Sequence, residues 1–64
     1  MPLVRISMWP GRTTEQKANL ATAVTETVVK AIGAPPEAVH VMIEELPKEN
    51  WAHAGKLHAE LFPD

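Results

Sequence analysis

Hydrophobic and polar positions alternate through Leu3-Val4-Arg5-Ile6-Ser7-Met8-Trp9, so Val4, Ile6 and Met8 share one face of a strand while Leu3, Arg5, Ser7 and Trp9 share the other. The first face is apolar and the second mixed. Trp9-Pro10-Gly11-Arg12 then reads as a turn, with proline presetting φ at its second position and glycine supplying a positive φ at its third. The spacing changes from two to three and four across Leu20, Val24, Val28, Ala31 and Ile32, which predicts a helix with one buried stripe. Thr13 and Gln16 supply a capping box ahead of it, and Glu15 sits against the positive end of its dipole. Gly33 followed by Pro35-Pro36 ends it.

Alternation returns in Val39-His40-Val41-Met42-Ile43-Glu44-Glu45, with Val39, Val41 and Ile43 on one face and His40, Met42 and Glu44 on the other. A long helical crossover between two strands predicts parallel pairing with a right-handed connection, the helix lying over Val4, Ile6, Val41 and Ile43. Pro47 ends this strand, residues 50–56 suit a short hairpin or bulge, and Leu57 to Pro63 form a final turn or short strand. The fold class expected is α+β, a β-α-β subunit with parallel strands and a short C-terminal hairpin. Two strands covered on one face only do not make a stable sheet. The outer face, bearing Leu3, Trp9 and Met42, is therefore expected to meet other subunits.

Size leads to the same expectation. A chain of 64 residues is at most one domain, spanning residues 1–64, and buries only about 60% of the surface it exposes when unfolded. It has no cysteine for disulfides or thiolate metal sites, and its three histidines are scattered, which leaves oligomerisation to supplement the core. A net charge of −2 without a Lys/Arg cluster argues against nucleic acid or an anionic membrane as partner. No apolar run approaches the roughly 18 residues of a membrane span, and Arg5 interrupts any signal-peptide core, so a cytoplasmic location is the expectation. No repeat or linker divides the chain.

Few residues offer chemistry. Once Met1 is removed, Pro2 presents a secondary amine at the head of a strand, where burial or nearby positive charge lowers its affinity for a proton and makes it a base near neutral pH. On the residues alone the plainer reading, a strand-starting proline, is the favoured one. Arg12, just before the helix N-terminus, reads either as a carboxylate grip or as a solvated turn residue. Arg5 is a candidate for an ion pair between subunits. His40 faces away from the core, as an anion or proton-transfer group or as a hydrogen-bonded interface residue. His53 and His58, five apart, do not share a helical face and no further ligand completes a set, so no metal site is expected. Glu44 and Glu45 point to opposite faces and cannot pair. Trp51 is either packing or an aromatic wall that excludes water.

Taken in order, Pro2 heading a strand, GRTTEQK at residues 11–17, a helix ending in GAP, VMIEEL within the second strand and NWAHAGK resemble the 4-oxalocrotonate tautomerase family of very short tautomerases. The resemblance covers nearly the whole chain. It implies a cofactor-independent enzyme assembled as a homohexamer, a trimer of dimers, with sites built across subunits and acting on a small 2-oxo or enol acid. It implies Pro2 as the catalytic base, Arg12 as the arginine that binds the substrate carboxylate, and Trp51 as the aromatic lining that keeps the amine's pKa low. Where founding members carry an arginine for the 2-oxo and 1-carboxylate end of a dicarboxylate, this chain has His40. Two alternatives stand beside tautomerisation: hydrolytic dehalogenation of 3-haloacrylates, as in relatives of the family, and a catalytically silent oligomeric module.

The replacement at position 40 has a measurable consequence. Histidine is shorter than arginine and only partly charged at neutral pH, so the dicarboxylate 2-hydroxymuconate is expected to lose about 2 kcal/mol of transition-state stabilisation. Comparing its turnover with that of the monocarboxylate phenylenolpyruvate tests this; a strong preference for the dicarboxylate contradicts it.

Overall fold

The first strand, β1, runs over Leu3–Met8 and pairs in parallel with a second, β2, over His40–Glu45. These form a two-stranded sheet joined through helix α1, Thr14–Ile32. The computed structural model describes residues 1–63 of the chain. The register places Val4 beside Val41 and Ile6 beside Ile43, and all four are half-buried on the face toward α1. Leu3 beside His40, Arg5 beside Met42 and Ser7 beside Glu44 make the outer face. Pairing continues one step beyond the strands, where Leu46 N–H donates to the Met8 carbonyl at 2.8 Å.

Local sequence sets the ends of α1. Gln16 N–H donates to Thr13 Oγ1 at 3.1 Å and Thr13 N–H donates to Gln16 Oε1 at 2.9 Å, so two otherwise unpaired donors are satisfied reciprocally. At the other end Gly33 takes a left-handed conformation, φ 72°, and its N–H donates to the Val29 carbonyl at 2.9 Å. Leu20, Val24 and Val28 are half-buried along the inner stripe, but Ala31 and Ile32 are exposed, Ile32 to 66%. A 19-residue helix is about 28 Å long and a six-residue strand about 20 Å, so the last turn overruns the sheet it covers.

Two further boundaries and one ion pair depart from the expected ones. The second strand begins at His40, because Val39 closes a 3-10 turn over Pro36–Ala38 with its N–H on the Pro36 carbonyl. The first ends at Met8, releasing Trp9 from the outer face. Arg5 pairs within its own chain, its Nη2 standing 2.7 Å from Glu44 Oε1.

After Pro47 a 3-10 turn, Lys48–Asn50, leads into the hairpin β3, Ala52–His53, and β4, Lys56–Leu57, followed by a short helix α2, His58–Leu61. The two residues between β3 and β4 both have positive φ, 51° at Ala54 and 78° at Gly55, as a tight type I′ hairpin requires. Alanine adopts that region only at some cost in strain.

Among the described residues no hydrophobic side chain is fully buried, and Leu3 and Met42 on the outer face remain about half open, at 53% and 51%. The Cα radius of gyration is 14.8 Å, where a compact chain of this length has about 11 Å, and the shortest principal extent is 14 Å. This is one helix over one thin sheet, with the other sheet face uncovered. No helix of the described residues is long and apolar enough to cross a membrane.

Because the capping box is the local device that starts α1, Thr13→Ala is expected to cost about 1 kcal/mol of stability, read as a lower urea midpoint. An unchanged midpoint shows that the box is dispensable.

Candidate functional site

Parallel pairing brings both strand N-termini to one end of the sheet. There His40 N–H donates to the Pro2 carbonyl at 2.9 Å, so Pro2 and His40 are neighbours through the backbone. Pro2 is half-buried, the His40 side chain is exposed, and Met1 ahead of them is 87% exposed.

Arg12 and Trp51 lie at the other end, roughly 20 Å away along the strands. They line one open groove of about 840 Å³ together with Trp9, Lys48, His58 and Phe62. Arg12 follows Gly11, whose φ of 121° carries the chain around the bend, and precedes the cap residue Thr13. Glu45 ties this bend to both neighbouring elements. Its carboxylate receives Lys17 Nζ of α1 at 2.6 Å and is hydrogen-bonded by the Gly11 backbone. The lysine hydrogen bond, with its charge and the Gly11 bond adding to it, holds the Glu45 carboxyl below the usual carboxylate range. Arg12 itself makes no ion pair among the described residues, so its guanidinium is open to an anion entering the groove.

The groove's aromatic wall is organised around His58, the one buried residue among those described, at 8% exposure. The Trp51 ring stacks on His58 at 5.1 Å and 16°, while Trp9 and Phe62 meet it edge-on at 5.3 Å each. Trp9 Nε1–H donates to His58 Nδ1 at 2.9 Å, and His58 Nε2 lies 2.8 Å from His53 Nδ1. An indole N–H can only donate, so His58 Nδ1 must accept. The His58 proton then sits on Nε2 and is donated to His53, whose own proton sits on its Nε2. Burial pushes the His58 pKa down, and Coulomb interactions with His53 and Lys48, which disfavour a second charge beside them, push it further. The Lys48 ammonium lies 4.7 Å over the Trp9 ring and donates to the Phe62 carbonyl at 2.6 Å.

Two expectations are corrected by this cluster. Trp9 is folded into it and does not stand on the open sheet face with Leu3 and Met42. His53 and His58 are adjacent despite their spacing, because the type I′ turn folds β3 onto β4 and returns the chain; among the described residues, however, no group of three or more His, Cys, Asp or Glu gathers to hold a metal. Residue spacing on a single helix is the wrong measure for a pair that spans a hairpin. The alternation of Glu44 and Glu45 holds, since one meets Arg5 on the outer face and the other Lys17 on the inner. Of the four residues singled out in the sequence, the chain brings together Pro2 with His40 and Arg12 with Trp51. It does not bring the two pairs together.

The chain is a very small α+β fold, β-α-β with parallel strands and a short C-terminal hairpin, with a proline leading its first strand. The family model described as tautomerase enzyme matches residues 2–60. A 2-hydroxymuconate tautomerase of Bacillus subtilis is 50% identical over 56 residues, which are 88% of this chain and 90% of that protein. A 2-hydroxymuconate tautomerase of Comamonas testosteroni is 46% identical over 61 residues, 95% of this chain and 97% of that one. Among solved structures, one of the 4-oxalocrotonate tautomerase isozymes from Methylibium petroleiphilum superposes with a TM-score of 0.88 at 41% identity, covering 95% of this chain and 98% of its own. The chain belongs to the tautomerase family.

The Glu45 network has a pH signature. A carboxyl whose folded pKa is depressed contributes stability that is fully present above its unfolded value, about 4.5, and is lost as the pH falls through the lower folded value. Glu45→Gln is therefore expected to lower stability near neutral pH and to flatten the acid loss below about pH 4.5, measured by urea unfolding across that range. An acid profile identical to that of the unmodified protein contradicts the assignment.

Proposed function

We propose that the chain is a cofactor-independent enol–keto tautomerase acting on 2-hydroxydienoate or related 2-oxo acids, with the amino-terminal nitrogen of Pro2 as general base. The observation that carries this is likeness over 97% of the length of a 2-hydroxymuconate tautomerase, in a chain whose family match begins at Pro2. The nitrogen serves only after Met1 is removed, since within a Met1–Pro2 bond it is an amide without a usable lone pair. The 87% exposure of Met1 is compatible with its removal.

In the proposed reaction the Pro2 amine takes the proton of the enol hydroxyl. The oxygen lone pair forms the carbonyl as the double bonds shift, and the same nitrogen returns the proton to carbon, so nothing is gained or lost overall. Arg12 grips the carboxylate and draws electron density toward it. His40, shorter than arginine, meets the 2-oxo end, and Trp51 provides the apolar wall. An amine base near neutral pH is well matched to proton transfer in both directions.

The four residues act together only if one subunit's Pro2 end meets another's Arg12 end, and the proposed assembly is a homohexamer in which they do so. The uncovered sheet face with Leu3 and Met42 supports association of copies. Dehalogenation is less well supported: it needs a carboxylate to activate water, and Glu44 and Glu45 are held by Arg5 and Lys17.

Protein whose free Pro2 is verified by intact mass is expected to ketonise 2-hydroxymuconate rapidly. Pro2→Ala, which leaves a differently tuned primary amine, is expected to lose roughly 100-fold or more in kcat/KM, and chains retaining Met1 to be inactive. Equal rates for all three forms contradict the assignment of the base.

A further inference from the structure

We infer that His58 is a positioning residue for the proposed site: its neutral imidazole holds Trp51 as the aromatic wall of the Arg12 groove and releases it on protonation. This rests on the reading of Trp51 as that wall. His58 grips Trp51 twice, through the stacked rings and through its own backbone N–H, which donates to the Trp51 carbonyl at 2.7 Å. The segment from Trp51 to His58 is thus a closed loop whose ends meet at the groove.

The imidazole is committed at both nitrogens. Nδ1 accepts from Trp9 and Nε2 points at His53, so a second proton has no place in the arrangement. Protonation sets an N–H of His58 against the N–H of Trp9, two donors with no acceptor between them, inside a buried aromatic cluster. The surroundings give a cation little relief. Lys48 from the 3-10 turn and His53 from β3 both disfavour a charge on the ring, and Arg12 lines the same groove. Lys56 sits across from His53 in the hairpin. Glu49 of the groove and Glu60 of α2 are the acidic groups nearby in the fold, and neither is hydrogen-bonded to His58. The ring is therefore driven out of the cluster as the pH falls, and Trp51 loses its stacking partner.

Linkage fixes the direction of the effect. A histidine that is harder to protonate when folded contributes stability that is complete above its unfolded value, about 6.5, and lost as the pH falls from there through the lower folded value. The acid limb of kcat/KM should then carry a second proton, that of His58, beyond the one that silences Pro2.

The chain has two tryptophans, Trp9 and Trp51, and both touch His58, so intrinsic emission reads the cluster without reference to turnover. In the assembled protein with free Pro2, the emission is expected to show a step below about pH 6.5. His58→Asn, which keeps an acceptor for Trp9 at every pH but has neither a ring to stack on Trp51 nor a group that titrates, should lack that step, lose about fivefold in kcat/KM at pH 8, and show a one-proton acid limb. His58→Ala should lose about tenfold at pH 8, the scale of one aromatic stacking contact and its hydrogen bond. An emission step that persists in His58→Asn, or an acid limb it leaves unchanged, overturns the inference. A wild-type protein with free Pro2 that turns over no enol at any pH overturns the tautomerase reading instead, and the presence or absence of the His58-dependent emission step then decides the coupling to Trp51 by itself.

Discussion

Parallel, in-register pairing of β1 with β2 is the constraint from which the rest follows. Val4 beside Val41 and Ile6 beside Ile43 require the helical crossover that carries the chain back along the sheet, and α1 covers the face they form. The same pairing sorts the chemistry by end. Whatever precedes the two strands emerges at one edge, and whatever follows them emerges at the other. Pro2 and His40 belong to the first group, and Arg12 and Trp51 to the second. No rotamer change closes a separation of roughly 20 Å set by strand length.

The energetics and the chemistry thus have the same deficit. A chain with no fully buried hydrophobic residue among those described, and with Leu3 and Met42 half open, has stabilised only one side of its sheet. A chain with half of its proposed site at each end has completed neither half. In the proposed hexamer, association of copies both covers the outer face and brings a base to a carboxylate grip. The C-terminal segment is the exception, because its aromatic rings and His58 satisfy one another within the chain.

Much of the fold is legible in the sequence because its signals are local. Period-two alternation, the Thr13–Gln16 box, Gly33 and the proline pair carry their own physics, and the β-α-β order and parallel pairing follow from them. What is not legible depends on distances along the folded chain. Ile32 lies on the apolar stripe, but the helix is longer than the sheet and Ile32 has nothing to cover. Trp9 continues the alternation of β1 on paper, yet it belongs to the C-terminal cluster, since the strand ends one residue earlier. Helical spacing separates His53 from His58, when the relevant signal is the Ala54-Gly55 turn that folds the two side by side. For the candidate site, residue types and order point to Pro2, Arg12, His40 and Trp51, but only the topology reveals that they form two separated pairs.

The most direct test of a site divided between subunits is complementation. Pro2→Ala and Arg12→Ala proteins, each nearly inactive alone, are mixed, unfolded and refolded together, and formation of mixed oligomers is verified by native mass spectrometry. If each site takes Pro2 from one chain and Arg12 from another, roughly a quarter of the sites in a random mixture regain both residues, and activity on 2-hydroxymuconate returns in proportion. If mixed oligomers form and no activity returns, base and carboxylate grip act within a single chain, and a site divided between subunits is contradicted.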